Sequence, residues 1–357
     1  IRETLLGSDK LTWEKSYKTN IGLEMMLWGK LNLTLDYYWE RRKDILIQRS
    51  SLPSMAGFDA SIYANMGEMD NKGVDANLEY QTRIGNKVGL RLFGNLTYSK
   101  NKIVFRDEPA MQYAYQKSEG TRYGEFYGYI AEGYFQSEEE IKKSPRQMRE
   151  LAPGDIKYKD LNDDGVIDAN DQCYLGKSWF PSWSYGMGFN INYHNFDLAL
   201  FFQGVSDVSI MANGGSIDTG NGDWGASGVG IVPFTGMGLN PSNVITKALD
   251  RWTADNPRAD AWYPRMTANA TTNDNNYVNS THWLKDGSYL RLKQASLGYT
   301  LENKKLMDKG IEYLYFYLSG QNLLTFSKFK LWDPELGSNG AKYPLSRMVT
   351  LGMSVSC

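Results

Sequence analysis

Apolar and polar residues alternate along much of this chain. Between Leu31 and Trp39 the odd positions are apolar, and the even positions are polar with the exception of Tyr38. A period of two places successive side chains on opposite faces, so it predicts a β-strand with one apolar face. We count about nine such segments, and most are close to the roughly 9–11 residues of a membrane-spanning strand. They cover residues 13–28, 31–47, 74–83, 88–103, 184–193, 196–205, 289–301, 313–326 and 347–357.

Two of these segments have an irregular pattern. In segment 289–301, Leu290 and Leu292 share one phase, whereas Leu297 belongs to the other. An extra residue in the strand would restore a single apolar face, so we predict a β-bulge near Gln294. Segment 313–326 begins by alternating tyrosine with leucine or phenylalanine. Hydrophobicity alone therefore does not select the apolar face of that strand.

Short and long connections alternate between the segments. The short ones are residues 29–30, 84–87 and 194–195, with a modest polar link at 302–312. The long ones are residues 48–73, 104–183, 206–288 and 327–346. Outer-membrane barrels have short periplasmic turns and longer extracellular loops. The pattern predicts an all-β fold, with about nine strands of a membrane-spanning antiparallel β-barrel over residues 1–357 and with 104–183 and 206–288 as long extracellular loops.

A soluble β-sandwich is the alternative fold, because it also consists of alternating strands and turns. Two connections of about 80 residues would be unusual in a compact soluble domain. Aromatic residues near the segment ends, namely Tyr37, Trp39, Tyr98 and Tyr193, are typical of the girdles of a membrane barrel. The pattern favours the membrane barrel and leaves the sandwich open.

Composition narrows the classes of function. Lys and Arg total 39 and Asp and Glu total 41, so the formal net charge is −2. Nucleic-acid-binding domains are usually basic, and we therefore expect no nucleic-acid partner. The two cysteines and two histidines are too few for a disulfide framework or a zinc site. The sequence also lacks a Cys/His dyad, a nucleophile elbow and a Walker loop, so it predicts a protein that is not an enzyme.

One motif has a specific chemistry. Residues 160–171 follow the spacing of a calcium-binding loop, in which oxygen ligands alternate along the chain and Gly165 permits a sharp turn at position 6. Position 12 is Asp instead of the usual Glu, so we expect modest affinity. The alternative is a solvated acidic turn. The predicted ligands of a structural Ca²⁺ are Asp160, Asn162, Asp164, Val166 through its carbonyl, Asp168 through water, and Asp171.

Aromatic residues are concentrated in region 206–288. Exposed rings would stack on sugars or contact a partner. The alternative, which we favour slightly, is that these rings fold the long loop on itself. The candidate ligand-binding residues are Trp224, Trp252, Trp262, Tyr263 and Trp283.

Several stretches, taken in order, resemble the SusC/RagA-type TonB-dependent outer-membrane transporters of Bacteroidota. No single stretch is decisive, but their order along the whole chain is specific. The stretches are LTWE at 11–14, NIG at 20–22, NMGEMDNKGV at 65–74, FYGY at 126–129, GYF at 133–135, GDIKYKD at 154–160, NFDL at 195–198, QG at 203–204, YLRLK at 289–293, LGY at 297–299, NL at 322–323, WDPE at 332–335 and YP at 343–344.

This resemblance implies that the chain is the C-terminal part of such a transporter, without the TonB-contacting N-terminal region, the plug and the early strands. It implies a barrel of about 22 strands in the cell outer membrane, whose remaining strands would pair with these nine. It also implies a SusD-like surface lipoprotein as a lid, energy coupling through the TonB complex, and import of an oligosaccharide or a peptide. A soluble calcium-stabilised β-rich glycan-binding protein is the second hypothesis.

Overall fold

The chain folds mainly into β-strands. The computed structural model of the protein describes residues 11–51, 62–85, 87–213, 245–266, 274–308, 310–338, 340 and 342–357. The strands are β1 (Lys15–Leu27), β2 (Leu31–Gln48), β3 (Tyr63–Ile84), β4 (Val88–Phe105), β5 (Glu125–Gly128), β6 (Ala131–Tyr134), β7 (Ile156–Tyr158), β8 (Cys173–Ser178), β9 (Trp183–Tyr193), β10 (Phe196–Ser206), β11 (Ser209–Met211), β12 (Leu284–Asp286), β13 (Tyr289–Leu301), β14 (Tyr313–Ser327) and β15 (Met348–Ser356).

The helices are few and short. Helix α1 covers Glu138–Lys143 and α2 covers Lys304–Met307. Single 3₁₀ turns are formed by Ala114–Gln116, Ala169–Asp171, Thr246–Leu249, Asp274–Asn276 and Pro334–Leu336. Within the described ranges, no helix has the length and apolar character needed to cross a membrane.

Nine strands form one antiparallel sheet in the order β1-β2-β3-β4-β9-β10-β13-β14-β15. They correspond to the nine predicted segments. The other strands form three small sheets, which pair β5 with β8, β6 with β7 and β11 with β12. These small sheets lie within the two longest connections.

One face of the large sheet is apolar across its whole width. Residues paired directly across an antiparallel ladder share a face. On this face Leu33 pairs with Leu78, and at the other end of the sheet Leu318 pairs with Leu351. Leu351 is 80% exposed because no part of the described chain covers this face.

The β13–β14 ladder confirms the predicted bulge near Gln294. Its register shifts between Leu292 and Gln294 and leaves Lys293 as the extra residue. The shift places Leu292 and Leu297 on the same apolar face. It also decides the face of β14, because Leu318 pairs with Leu297.

Aromatic residues on the apolar face form two rows. Tyr37, Tyr98 and Trp183 lie in one row, because Val74 of β3 pairs with both tyrosines and Tyr98 pairs with Trp183. The second row includes Tyr193, at the opposite end of β9. The ten steps along β9 from Trp183 to Tyr193 rise about 3.3 Å each, which gives a height of about 25 Å at a tilt of about 40°. This height matches the apolar band between the aromatic girdles of an outer-membrane barrel.

Strand β3 is longer than predicted. It begins at Tyr63 instead of Val74, so the connection expected at 48–73 reduces to residues 49–62. Residues 63–73 lack the alternation that marks a membrane-facing strand, but they pair with the extended ends of β2 and β4. The 22 residues of β3 extend about 70 Å at about 3.3 Å per residue. This part of the sheet therefore projects beyond the bilayer.

The two longest connections, residues 106–182 and 207–288, share one hydrophobic core. Phe126, Tyr134 and Ile156 from the first pack with Trp252 and Trp283 from the second. The rings of the second connection also pack on one another, as expected, so they fold this connection on itself as well as joining it to the first. We call the described parts of both connections the two-loop domain. It lies at the end of the sheet opposite the short turns.

Candidate functional site at the long-loop end of the sheet

Two neighbouring asparagines hold the two-loop domain together. Asn276 accepts a hydrogen bond from the backbone N–H of Ile156 (2.8 Å) and donates to the Asp155 carboxylate (2.7 Å). Asn275 donates to the carbonyl of Ile156 (3.1 Å) and accepts from the Gln147 side chain (2.9 Å). All these polar side chains are buried, where an unmade hydrogen bond is costly. Asn275 and Asn276 of the second connection therefore bind the GDIKYKD stretch of the first connection, and we call these contacts the clasp.

Asp155 forms a second link between the two connections. Its carboxylate contacts the Arg265 guanidinium at 2.6 Å and 2.9 Å, and it also accepts from the backbone N–H of Ala152 (2.9 Å). Gly154, one residue earlier, has φ +93° and lies against the Trp252 ring, where a Cβ atom would overlap the ring. The family-like stretch therefore has a structural reason for both its glycine and its aspartate.

Arg122 and Asp207 connect the two-loop domain to the rim of the sheet. The Arg122 guanidinium donates to Ser182 Oγ (2.7 Å), just before β9, and to the Asp207 carboxylate (2.8 Å), just after β10. Ser182 Oγ also donates to Asp207 (2.5 Å). Both connections are therefore anchored at the positions where they leave neighbouring strands.

A buried arginine joins two further stretches of the family pattern. Arg291 of β13 contacts the Asp333 carboxylate at 2.6 Å and 2.8 Å, and its guanidinium lies 5.4 Å from the centroid of the Tyr289 ring. Tyr289 in turn donates to Glu335 (2.7 Å). The YLRLK and WDPE stretches therefore meet in one ion-pair cluster, which fixes the connection after β14 on the polar face of β13.

The calcium-type loop adopts the predicted sharp turn. Gly165 has φ +80°, and its N–H donates to Asp160 Oδ2 (2.8 Å). Asp164 Oδ1 accepts from the N–H of Val166 (2.9 Å), and Asn162 Oδ1 accepts from the N–H of Asp164 (3.2 Å). These side chains are therefore held close to the backbone of the turn.

The rest of the loop does not form a convergent ligand cluster. The buried Asp171 carboxylate accepts from the N–H groups of Leu161 (2.7 Å) and Asp168 (2.9 Å), and Asp168 accepts from the N–H of Asn170 (2.7 Å). Among the described residues, no group of three or more His, Cys, Asp and Glu side chains is placed to hold a metal ion. Asp160 Oδ1, however, is buried without a hydrogen-bond partner. The calcium site remains a prediction.

Most of the candidate ligand-binding aromatic residues lie in the core. Trp252, Tyr263 and Trp283 are buried, and only Trp262 is partly exposed. The rings of Tyr263 and Trp283 pack on Trp262 with centroid distances of 4.5 and 5.4 Å. Trp224 lies outside the described residues. The buried rings are covered by protein, so among the described members of this set Trp262 is the one that remains available to a ligand.

His282 is partly buried beside this aromatic cluster. Its Nε2 lies 3.2 Å from the carbonyl oxygen of Trp262 and 3.4 Å from the Tyr134 hydroxyl. Burial, with a smaller contribution from Lys285, lowers the pKa of His282 to about 4. The imidazole is therefore neutral at neutral pH and acts as a packing group.

Several residues that organise this end of the molecule had no signal in the sequence. Asn275, Asn276, Arg265 and Arg122 are ordinary loop residues in the linear pattern, and their partners are distant in sequence. The GDIKYKD stretch could have marked one side of the clasp. No local spacing identifies the other side.

Comparison with known proteins identifies the family. The family of TonB-dependent receptor-like β-barrels matches residues 3–323. The chain belongs to this family. TonB-dependent receptor P3 of Formosa agariphila is 28% identical over 381 residues, which cover 99% of this chain and 35% of that protein. SusC of Bacteroides thetaiotaomicron is 23% identical over 362 residues, which cover 98% of this chain and 32% of that protein.

Solved structures support the same fold. The RagAB peptide importer in its closed-closed state matches with a TM-score of 0.72 at 23% identity, over 99% of this chain and 36% of that chain. A second RagAB structure, described as a peptide transporter, matches with a TM-score of 0.73 at 24% identity, over 98% of this chain and 36% of that chain. The chain spans about a third of the length of the relatives it matches.

These comparisons confirm several predictions made from the sequence. They confirm the resemblance to SusC/RagA-type receptors, the β-barrel fold class and the location in the outer membrane. The relatives that the chain matches are receptors and transporters and not enzymes, which agrees with the prediction made from the sequence. Within this TonB-dependent receptor family, the apolar face of the sheet is the side that faces lipid.

Proposed function

We propose that the protein imports a large nutrient, an oligosaccharide or a peptide, across the outer membrane. Import would depend on energy from the TonB complex and on a SusD-like surface lipoprotein that covers the long-loop end. The observation that carries this proposal is the two-sided sheet: a lipid-facing apolar face, a polar opposite face, and a compact two-loop domain at one end. The family membership supports the same activity.

The polar face supports a role in lining a passage for hydrophilic molecules. Asn77 pairs with Thr34 and with Asn95 on this face. Phe93 and Phe201 stack there at 6.0 Å. A wide barrel of this class has a polar interior that holds a plug. The remaining strands and plug of the same barrel are part of the proposal.

The two-loop domain supports the proposed lid partner. Its clasp and core give it a fixed shape at the end opposite the short turns. A rigid surface loses less conformational entropy when a partner binds than a flexible loop does. SusC and the RagAB importer, to which the chain is similar, support a partner of the SusD type.

The second hypothesis, a soluble calcium-stabilised glycan-binding protein, is less well supported. A soluble domain would bury the apolar face that extends across all nine strands of the sheet. Instead Leu351, Met353 and Val349 on β15 are exposed. Extraction from cells decides between the two, because the barrel requires detergent and the soluble protein does not.

The proposed import is tested by deleting the gene and measuring uptake of oligosaccharides and peptides by intact cells. We expect loss of uptake of one class of nutrient and restoration by the wild-type gene. Affinity purification in mild detergent should recover a surface lipoprotein with the wild-type protein. Asn276→Ala should weaken this recovery, because it opens the clasp.

The matched control is Asn192→Ala, which makes the same chemical change on the polar face near the short turns. It should retain the lipoprotein. Unchanged uptake in the deletion strain would contradict import. Recovery of the lipoprotein with both variants at the wild-type level would contradict the two-loop domain as its platform.

We also propose that the loop at 160–171 binds Ca²⁺ in a structural role. The support is the oxygen spacing, the turn at Gly165 and the unpartnered, buried Asp160 Oδ1. Asp160, Asn162, Asp164 and the Val166 carbonyl would supply most of the ligands. The ion would offset repulsion between the clustered carboxylates and order the loop.

Calcium binding is measured by isothermal titration and by thermal unfolding of the detergent-solubilised protein. A ligand at 100 times its Kd stabilises the folded state by about 2.7 kcal/mol. Asp160→Asn should abolish this stabilisation. Asp163→Asn is the control, because Asp163 lies in the same turn but outside the predicted ligand set. Equal loss in both variants, or no effect of calcium on the wild type, would refute the site.

A further inference from the structure

A cleft with a volume of about 790 Å³ lies between the two-loop domain and the connection that follows β14. We call it the basic cleft. Its charged side chains are four lysines and one aspartate, although the whole chain has a net charge of −2. The positive charge is therefore a local feature. The charged residues are Lys247, Lys285, Lys328, Lys330 and Asp286.

Lys285 is the most sequestered of the four lysines. Its Nζ donates to the carbonyl of His282 (2.6 Å) and lies 5.2 Å from the centroid of the Trp262 ring. In the described part of the chain it forms no ion pair with a carboxylate. Burial lowers the pKa of Lys285, and the neighbouring Lys247 lowers it further. An anion in the cleft would stabilise this ammonium group.

The other lysines differ in how far they are neutralised. Lys247 pairs with Asp250 at 2.7 Å. Lys328 is exposed and lies 3.9 Å from Asp286, which is a weak contact. Lys330 is exposed and has no ion pair among the residues that the structure describes. Two exposed ammonium groups and one sequestered group therefore remain available to an incoming anion.

The apolar walls of the basic cleft are rigid. Trp262 is held by the rings of Tyr263 and Trp283. Phe329 is buried and packs edge-to-face on Trp332 with a centroid distance of 4.7 Å. Walls that are already ordered add little entropic cost to binding. An aromatic wall suits the apolar C–H face of a sugar ring.

We propose that the basic cleft is a binding subsite for an acidic oligosaccharide. Lys285, Lys328 and Lys330 would hold carboxylate groups of the sugar, and Trp262 would pack against one ring. Asp286 favours a saccharide over an acidic peptide, because sugar hydroxyls donate to a carboxylate whereas a run of acidic side chains is repelled by it. This inference rests on the proposed import function and names the substrate class.

The test uses the intact protein purified from outer membranes in detergent, with tetragalacturonate as the probe in isothermal titration. Binding should weaken as sodium chloride is raised, because exposed charges are screened. The double variant Lys285→Gln/Lys330→Gln should lower affinity about tenfold or more. Maltotetraose, a neutral chain of equal length, should bind at least about tenfold more weakly.

The matched control is Lys142→Gln/Lys143→Gln on α1, where two exposed lysines lie outside the cleft. It should bind tetragalacturonate as the wild type does. Hexaglutamate bound as tightly as tetragalacturonate would overturn the saccharide assignment, and equal loss in both double variants would overturn the cleft as the site. Binding in vitro does not require TonB, so binding without uptake by cells contradicts the proposed import alone.

Discussion

Leu35→Arg is the substitution that tests the membrane-facing side most directly. Leu35 pairs with Leu23 and Ala76 on the apolar face, midway between Leu31 and Trp39 along β2. An arginine on the lipid face of a barrel costs about 2–4 kcal/mol at the bilayer midplane. Since each 1.4 kcal/mol corresponds to a factor of ten, the ratio of folded to unfolded protein should fall by about 30- to 1,000-fold.

The matched control is Thr34→Arg, one residue away on the opposite face. Thr34 pairs with Glu24 and Asn77, so the new guanidinium would lie beside a carboxylate in a polar setting. Both variants are refolded into lipid vesicles, and their free energies of unfolding are measured by urea titration followed by tryptophan fluorescence. We expect a large loss for Leu35→Arg and less than about 1 kcal/mol for Thr34→Arg. Equal losses would refute the assignment of faces.

Three further predictions concern the long-loop end. Gly154→Ala should open the two-loop domain to protease on intact cells, because the new Cβ would overlap the Trp252 ring at φ +93°; Gly165→Ala, which has free space around its Cβ position, should be milder, and equal cleavage of both would contradict the packing argument. Arg291→Ala should cost about 3–5 kcal/mol of unfolding free energy, because it leaves a carboxylate without its buried partner; a loss below 1 kcal/mol would show that the ion pair does not stabilise the fold. Burial lowers the pKa of His282 to about 4, against about 6.5 in an unfolded chain. The unfolded state therefore binds the proton more readily, and the stability of the two-loop domain should fall as pH decreases from about 6.5 to about 4. His282→Gln should remove that part of the pH dependence, and an identical profile in the variant would contradict it.

The strands could be predicted from the sequence because the alternation of apolar and polar residues is a local pattern. An alternation such as that from Leu31 to Trp39 shows which side chains face lipid, and each strand has its own alternation. The phase change around Gln294 was interpretable for the same reason. Where a strand leaves the bilayer, its residues no longer need to alternate. The sequence pattern therefore does not predict the first part of β3, from Tyr63.

The candidate site could be predicted only in part from the sequence. The turn at Gly165 was predicted because backbone conformation and oxygen spacing are both local properties. The burial of Trp252 and Trp283 was favoured only slightly over a role in binding sugars, because hydrophobicity does not distinguish a ring that binds a sugar from a ring that packs in a core. A resemblance to a family identified the important stretches without explaining what each one contacts.

The sequence by itself determined the fold class, the nine membrane strands, the bulge and the alternation of short and long connections. It could do so because a period of two and a run of turn residues act over a few neighbouring positions. The tertiary structure decided that the two long connections form one domain, that Arg291 meets Asp333, and that four lysines surround one cleft. These contacts join residues far apart in the chain, such as Asp155 and Asn276. Their partners are chosen by the packing of the whole molecule, which no local pattern encodes.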